Sequence, residues 1–243
     1  MNSYLRIMRI VRLAFSIVTL TLSLAVSSAF GQVRGEPAAI ATAESILQQV
    51  GGREAWRHRT LEVLETVYLP NGETGQLRIW RDFESGSRLF ERRTPTGTFR
   101  EWVAPGEGWI TRNGAHQPMP ASELAAERYG MPQEPYAVYH RLARNDPALR
   151  FELRENGASL FVFDGEERLL CWFRLAPNGV LRGWGNFFDG RINEHYYGPL
   201  DDVGDANLPR FGAAANGTFR FEYHEGRLSN APLTEPAPDA AFR

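Results

Sequence analysis

The chain has 243 residues, with 27 basic against 29 acidic side chains and a formal net charge of −2. Every basic residue is Arg, no Lys occurs, and a near-neutral balance without a clustered basic excess argues against a nucleic-acid binder. The single cysteine, Cys171, excludes an internal disulfide, so stability has to come from burial.

In chain order the first element reads as a leader. Arg6, Arg9 and Arg12 precede an apolar stretch at 13–26, and Ser27, Ser28, Ala29, Phe30, Gly31 and Gln32 follow, with small residues at the positions a signal peptidase reads. A signal peptide at 1–31, cleaved after Gly31, is expected. The apolar stretch is shorter than the roughly 20 residues that span a bilayer and no stop-transfer pattern follows, so no stable membrane insertion is expected after cleavage. No Cys lies near the junction to carry a lipid anchor. Loss of Arg6, Arg9 and Arg12 takes the net charge from −2 to −5. One domain is expected at 32–231, followed by a Pro-rich flexible tail at 232–243.

The segment "AIATAESILQQVGG" carries Ile40, Ala43, Leu47 and Val50 at helical spacing and stops at Gly51 and Gly52. Strand-like runs follow at 61–69, 75–83, 88–93, 98–103 and 108–112, separated by short turns rich in Pro, Asn and Gly, as antiparallel hairpins allow. The pattern then changes to two short helices, one from Ser122 to Gly130 and one between Pro135 and Pro147. The second bears Tyr136, Tyr139 and Ala143 beside Val138 and Leu142, an apolar surface that needs covering. Strands resume at 149–155, 159–163, 168–176, 180–188, 191–197, 208–211 and 218–224. In "RLLCWFRLAPNGVLRGWGNFF" large aromatics fall on both alternating faces, whereas a sheet with one wet face needs them on one only. The same alternation puts Cys171 on an apolar face with Leu169, Phe173 and Leu175, where a thiol serves as core.

This order of helix, meander, paired helices and second meander resembles the bacterial LolA/LolB superfamily of envelope proteins. The resemblance extends to "DDVGDANLPRF" and "GTFRFEYHEGRLSN", where Gly204, Leu208, Pro209 and Arg210 precede a closing strand bearing Phe219, Phe221 and Tyr223. The chain departs from LolB in lacking the lipid-attachment Cys. The resemblance implies an α+β, mainly β fold: a curved antiparallel sheet forming an unclosed half-barrel, with an N-terminal helix and two short helices across its concave side.

In such a sheet one aromatic face packs outward and the other lines a cavity. Trp172 and Trp184 on adjacent strands, with Tyr136 and Tyr139, are the expected lining; the competing reading is that all four fill a closed core. Arg81 shares the face of Leu77, Ile79 and Phe83, and a guanidinium there needs a partner. An anionic headgroup or the helix lid would supply one, and so would a carboxylate or water at the rim. The histidines His58, His116, His140, His195 and His224 have no metal-ligand spacing, and no nucleophile-elbow, phosphate-loop or dinucleotide fingerprint occurs. Asp201, Asp202, Asp205 and Asn207 miss the spacing of a calcium loop. No catalytic residue, metal or cofactor is therefore expected. The expectation is an exported, periplasmic protein that binds a lipid or another hydrophobic small molecule. The alternatives are an envelope protein–protein interaction module with a filled core, and a small hydrolase or isomerase using the cavity as its active site.

Overall fold

A computed structural model describes residues 33–165, 167–188 and 190–236. The leader expected at 1–31 and the end of the tail lie outside the described residues. After a short strand β1 (Arg34–Gly35), helix α1 (Pro37–Gln49) begins on Pro37, whose missing N–H costs nothing in a first turn. It ends where Gly51 takes φ 113, a conformation that a side chain would disfavour. The buried stripe is Ala39, Ala43, Ile46 and Leu47, so Ile46 takes the core position and Ile40 is only half-buried.

A single turn, α2 (Gly52–Ala55), leads into a first meander of β2 (Thr60–Tyr68), β3 (Thr74–Asp82), β4 (Ser87–Thr94), β5 (Gly97–Val103), β6 (Gly108–Arg112) and β7 (Ala115–Pro118). Helices α3 (Ala121–Gly130) and α4 (Pro135–Ala143) follow. The second meander comprises β8 (Leu149–Arg154), β9 (Ser159–Asp164), β10 (Arg168–Leu175), β11 (Leu181–Phe188), β12 (Arg191–Tyr197), β13 (Leu200–Asp202), β14 (Asn207–Pro209), β15 (Phe211–Ala214) and β16 (Arg220–Ser229).

Fourteen of these strands form one sheet in the order β1-β8-β9-β10-β11-β12-β15-β16-β2-β3-β4-β5-β6-β7, and β13 pairs with β14 apart from it. Only β1 runs parallel to its neighbour, β8. The two meanders join where β16 pairs antiparallel with β2, from Arg220 opposite Tyr68 to Ser229 opposite Thr60. The edge strands β1 and β7 each have one partner, so this mainly β, antiparallel sheet is not closed.

Alternation assigns the faces. Leu61, Val63, Glu65 and Val67 of β2 are buried on one side. Opposite them stand Arg81, Ile79 and Leu77 of β3, and beyond these Arg88, Phe90 and Arg92 of β4. In the other direction Leu228, Tyr223 and Phe221 of β16 share that face. Helix α4 packs here: Tyr139 stacks on Phe173 at 5.5 Å, and Trp56 stacks on Tyr136 at 6.0 Å. Tyr136, Val138, Tyr139, Leu142 and Ala143 are all buried, each large apolar group contributing about 1.5–3 kcal/mol.

The opposite face also carries aromatics, and in the first meander they are covered. Leu89, Trp102, Ala104 and Trp109 cluster with Trp80 and with Leu233 of the C-terminal segment. The Trp109 indole donates to Glu235 Oε1 at 2.8 Å, and the Leu233 amide donates to Asp82 Oδ2 at 3.2 Å. The first residues of the segment expected as a flexible tail therefore make specific contacts with the sheet. Among the described residues no helix is long and apolar enough to cross a membrane.

Candidate functional site

The face that bears α4 is not filled. An inner compartment of about 260 Å³ is bounded by Val63, Val67, Leu77 and Ile79 from β2 and β3, by Phe221 and Tyr223 from β16, and by Tyr136 and Trp184. It adjoins a larger compartment of about 530 Å³, and Ile79, Phe90, Arg92, Tyr136 and Trp184 line both. The wider space is lined by Ile79, Phe90 and Phe99 of β3 to β5 and by Glu127, Gly130, Glu134, Pro135 and Tyr136 of the helical segment.

Besides Arg81, Arg92 and the two tyrosines, Glu65 and His195 line the inner compartment. Glu65 is buried between its cross-strand neighbours Leu77 and Tyr223. Burial pushes its carboxyl up to about 8, against the pull of Arg81, so it is neutral at pH 7. His195 lies flat on Trp184 at 5.0 Å, and burial pushes it down to about 4, so it is neutral as well. The Tyr136 and Tyr223 hydroxyls bond each other. The inner wall is thus mainly apolar, with the neutral Glu65 and His195 set into it and the charges of Arg81 and Arg92 along its border.

Arg81 stands where the two compartments meet. It forms an ion pair with Glu134, the residue preceding α4, and its guanidinium lies 5.0 Å from the centre of the Tyr136 ring. Arg88 joins this network, contacting Glu134 at 3.5 Å, Glu127 of α3 at 2.7 Å, and Glu101 of β5. Burial raises the Glu134 carboxyl, but the two guanidiniums outweigh it and hold the group below its ordinary value. The helical segment thus supplies the partner Arg81 requires, through the carboxylate of Glu134 at the start of α4. One Arg81 nitrogen, Nη1, is buried with no hydrogen-bond partner among the described residues.

Of the residues expected to line a cavity, Arg81, Tyr136 and Trp184 come together, while Tyr139 lies deeper and packs between Trp56 and Phe173. Trp172 departs from the expectation. The β10–β11 register sets Phe173 opposite Trp184 and Trp172 opposite Gly185, so the two tryptophans occupy opposite faces of the sheet. Trp172 stacks on Phe161 at 5.9 Å, contacts Phe187, and donates its indole N–H to Glu194 at 3.0 Å. Gly185 is required beneath it, since a Cβ there would lie 2.4 Å from the indole. Beyond Trp172 this face leaves Phe187, Ile192, Tyr196 and Phe211 49 to 63% exposed.

Sequence reasoning missed Glu65, Glu134, Arg88 and the place of His195. Glu65 was within reach of the argument used for Arg81, because Leu61, Val63, Glu65 and Val67 alternate in the same way. Comparison with known protein families and with curated proteins finds no match.

Proposed function

We propose that the protein is an exported binder of hydrophobic molecules whose sheet curves as a half-barrel, with α3 and α4 across its concave side and the ligand in the space they leave. The observation that carries this reading is the mainly apolar inner compartment, adjoining a wider one and still open with α4 seated. Such a space either collapses, stays dry or takes an apolar guest. Asn186 adds support: it is 3% exposed, lines the wider compartment, and its amide oxygen has no partner among the described residues. The arginine-led apolar leader supports export to the periplasm.

The test is organic extraction and mass spectrometry of the purified protein, with titration by the neutral dye N-phenyl-1-naphthylamine. Copurified hydrophobic molecules, and dye binding weakened by Trp184→Phe, are expected. A clean protein that fails to bind the dye would end the proposal. The exposed Phe187, Ile192, Tyr196 and Phe211 favour a second reading, an envelope interaction module. That reading gains if the cavity proves empty and those four side chains become protected by a partner.

A further inference from the structure

Arg92, Phe99 and Arg112 stand directly across from one another on β4, β5 and β6, on the cavity face. Both guanidiniums lie over the one ring, at 5.7 Å for Arg92 and 4.8 Å for Arg112. Neither forms an ion pair among the described residues. The carboxylates of the wider compartment, Glu101, Glu127 and Glu134, are all engaged by Arg81 or Arg88. Two like charges therefore flank a single ring with no bound counter-charge, at a place solvent reaches: Arg92 is half-buried and Arg112 exposed. Arg92 borders the apolar inner compartment, the wider one, and a polar recess of about 180 Å³ at the rim that also includes Thr96, Thr98 and Arg112.

From this arrangement we infer that the ligand is an anionic amphiphile, with its apolar chain in the inner compartment and its carboxylate or phosphate headgroup held between Arg92 and Arg112. The inference rests on the hydrophobic-binding reading above and adds the ligand's polarity and orientation. A guanidinium presents paired donors matched to carboxylate and phosphate oxygens, and charge-assisted bonds are the stronger kind. A neutral lipid would leave both charges as they are; an anion answers both.

The test is displacement of N-phenyl-1-naphthylamine by decanoate, decyl phosphate and decanol, which share a chain and differ in the head. Against decanol, at least one anion is expected to bind about tenfold tighter or better, a difference of about 1.4 kcal/mol. Salt at about 0.5 M should reduce that preference. In Arg92→Gln/Arg112→Gln, with the fold checked by circular dichroism, the preference of the anions over decanol should fall to about twofold. Arg92→Lys/Arg112→Lys should keep much of it, since the charge remains. A preference for decanoate points to a fatty acid and one for decyl phosphate to a lysophospholipid. No preference in the parent protein, or a preference undiminished in the Gln variant, overturns the inference while decanol binding leaves the hydrophobic-binding reading in place. Failure of all three to displace the dye, or of the dye to bind, overturns both.

Discussion

Glu65→Gln separates the cost of a buried carboxyl from its shape. The carboxyl is raised from its ordinary 4.5 to about 8, with burial as the leading cause. Between those values the folded chain keeps a proton that the unfolded chain releases, so stability falls as pH rises through the interval and levels off above it. At about 1.36 kcal/mol per pH unit, the interval of 3.5 bounds the loss at about 5 kcal/mol. Water reaching the cavity lowers this to about 2–4 kcal/mol. Gln keeps the volume and removes the titration. Urea unfolding of both proteins at pH 5 and pH 8.5, followed by circular dichroism, isolates the effect, because the other titrating groups are common to both. With a slope of about 2 kcal/mol per molar urea, the variant's midpoint should gain about 1–2 M on the parent between the two pH values. An unchanged gap would refute the placement of Glu65 against the apolar wall.

Two further outcomes test the packing. Arg81→Leu should cost about 3 kcal/mol in urea unfolding by leaving Glu134 buried beside Arg88 alone, and adding Glu134→Gln should restore more than about 1 kcal/mol; strict additivity would mean the pair contributes nothing. Gly185→Ala should destabilise by about 1–3 kcal/mol and shift Trp172 fluorescence while sparing dye binding, since the indole it displaces lies on the face away from the cavity; loss of binding without destabilisation would contradict that assignment.

The sequence carried the elements better than their partners. Apolar spacing located α1, α3, α4 and most long strands, because each signal lies within one segment. Short strands such as β1, β7 and β13 left no such signal, since two to four residues hold too little alternation and pair only where the tertiary fold brings an edge to them. Trp172 and Trp184 were paired as neighbours on adjacent strands, but which of them faces α4 depends on register, and one residue of register exchanges the faces. That shift is set by the turn at 176–180 and by the irregularity between Arg174 and Leu175, neither of which alternation alone encodes. Arg81 was legible because a charge interrupting an apolar face is visible without knowing the partner. Its partner was not, as Glu134 lies 53 residues away on the loop before a helix.

The four arginines of the cavity face divide by what the helices can reach. Arg81 and Arg88 lie under α3 and α4, where they are largely buried and an unpaired charge is costly, and each is matched by carboxylates from the helical segment or β5. Arg92 and Arg112 lie beyond the helices and keep contact with solvent, so they need no partner to be tolerated there. Stability alone explains the first pair, because removing either side of that network strands a buried charge. It does not explain the second. An exposed pair over one ring gains about 0.5–1 kcal/mol per cation–π contact, which the repulsion between two like charges opposes. Their placement at the junction of an apolar compartment and a polar rim gives the cavity a direction, mainly apolar at one end and cationic at the other, which is the polarity the proposed amphiphile would match.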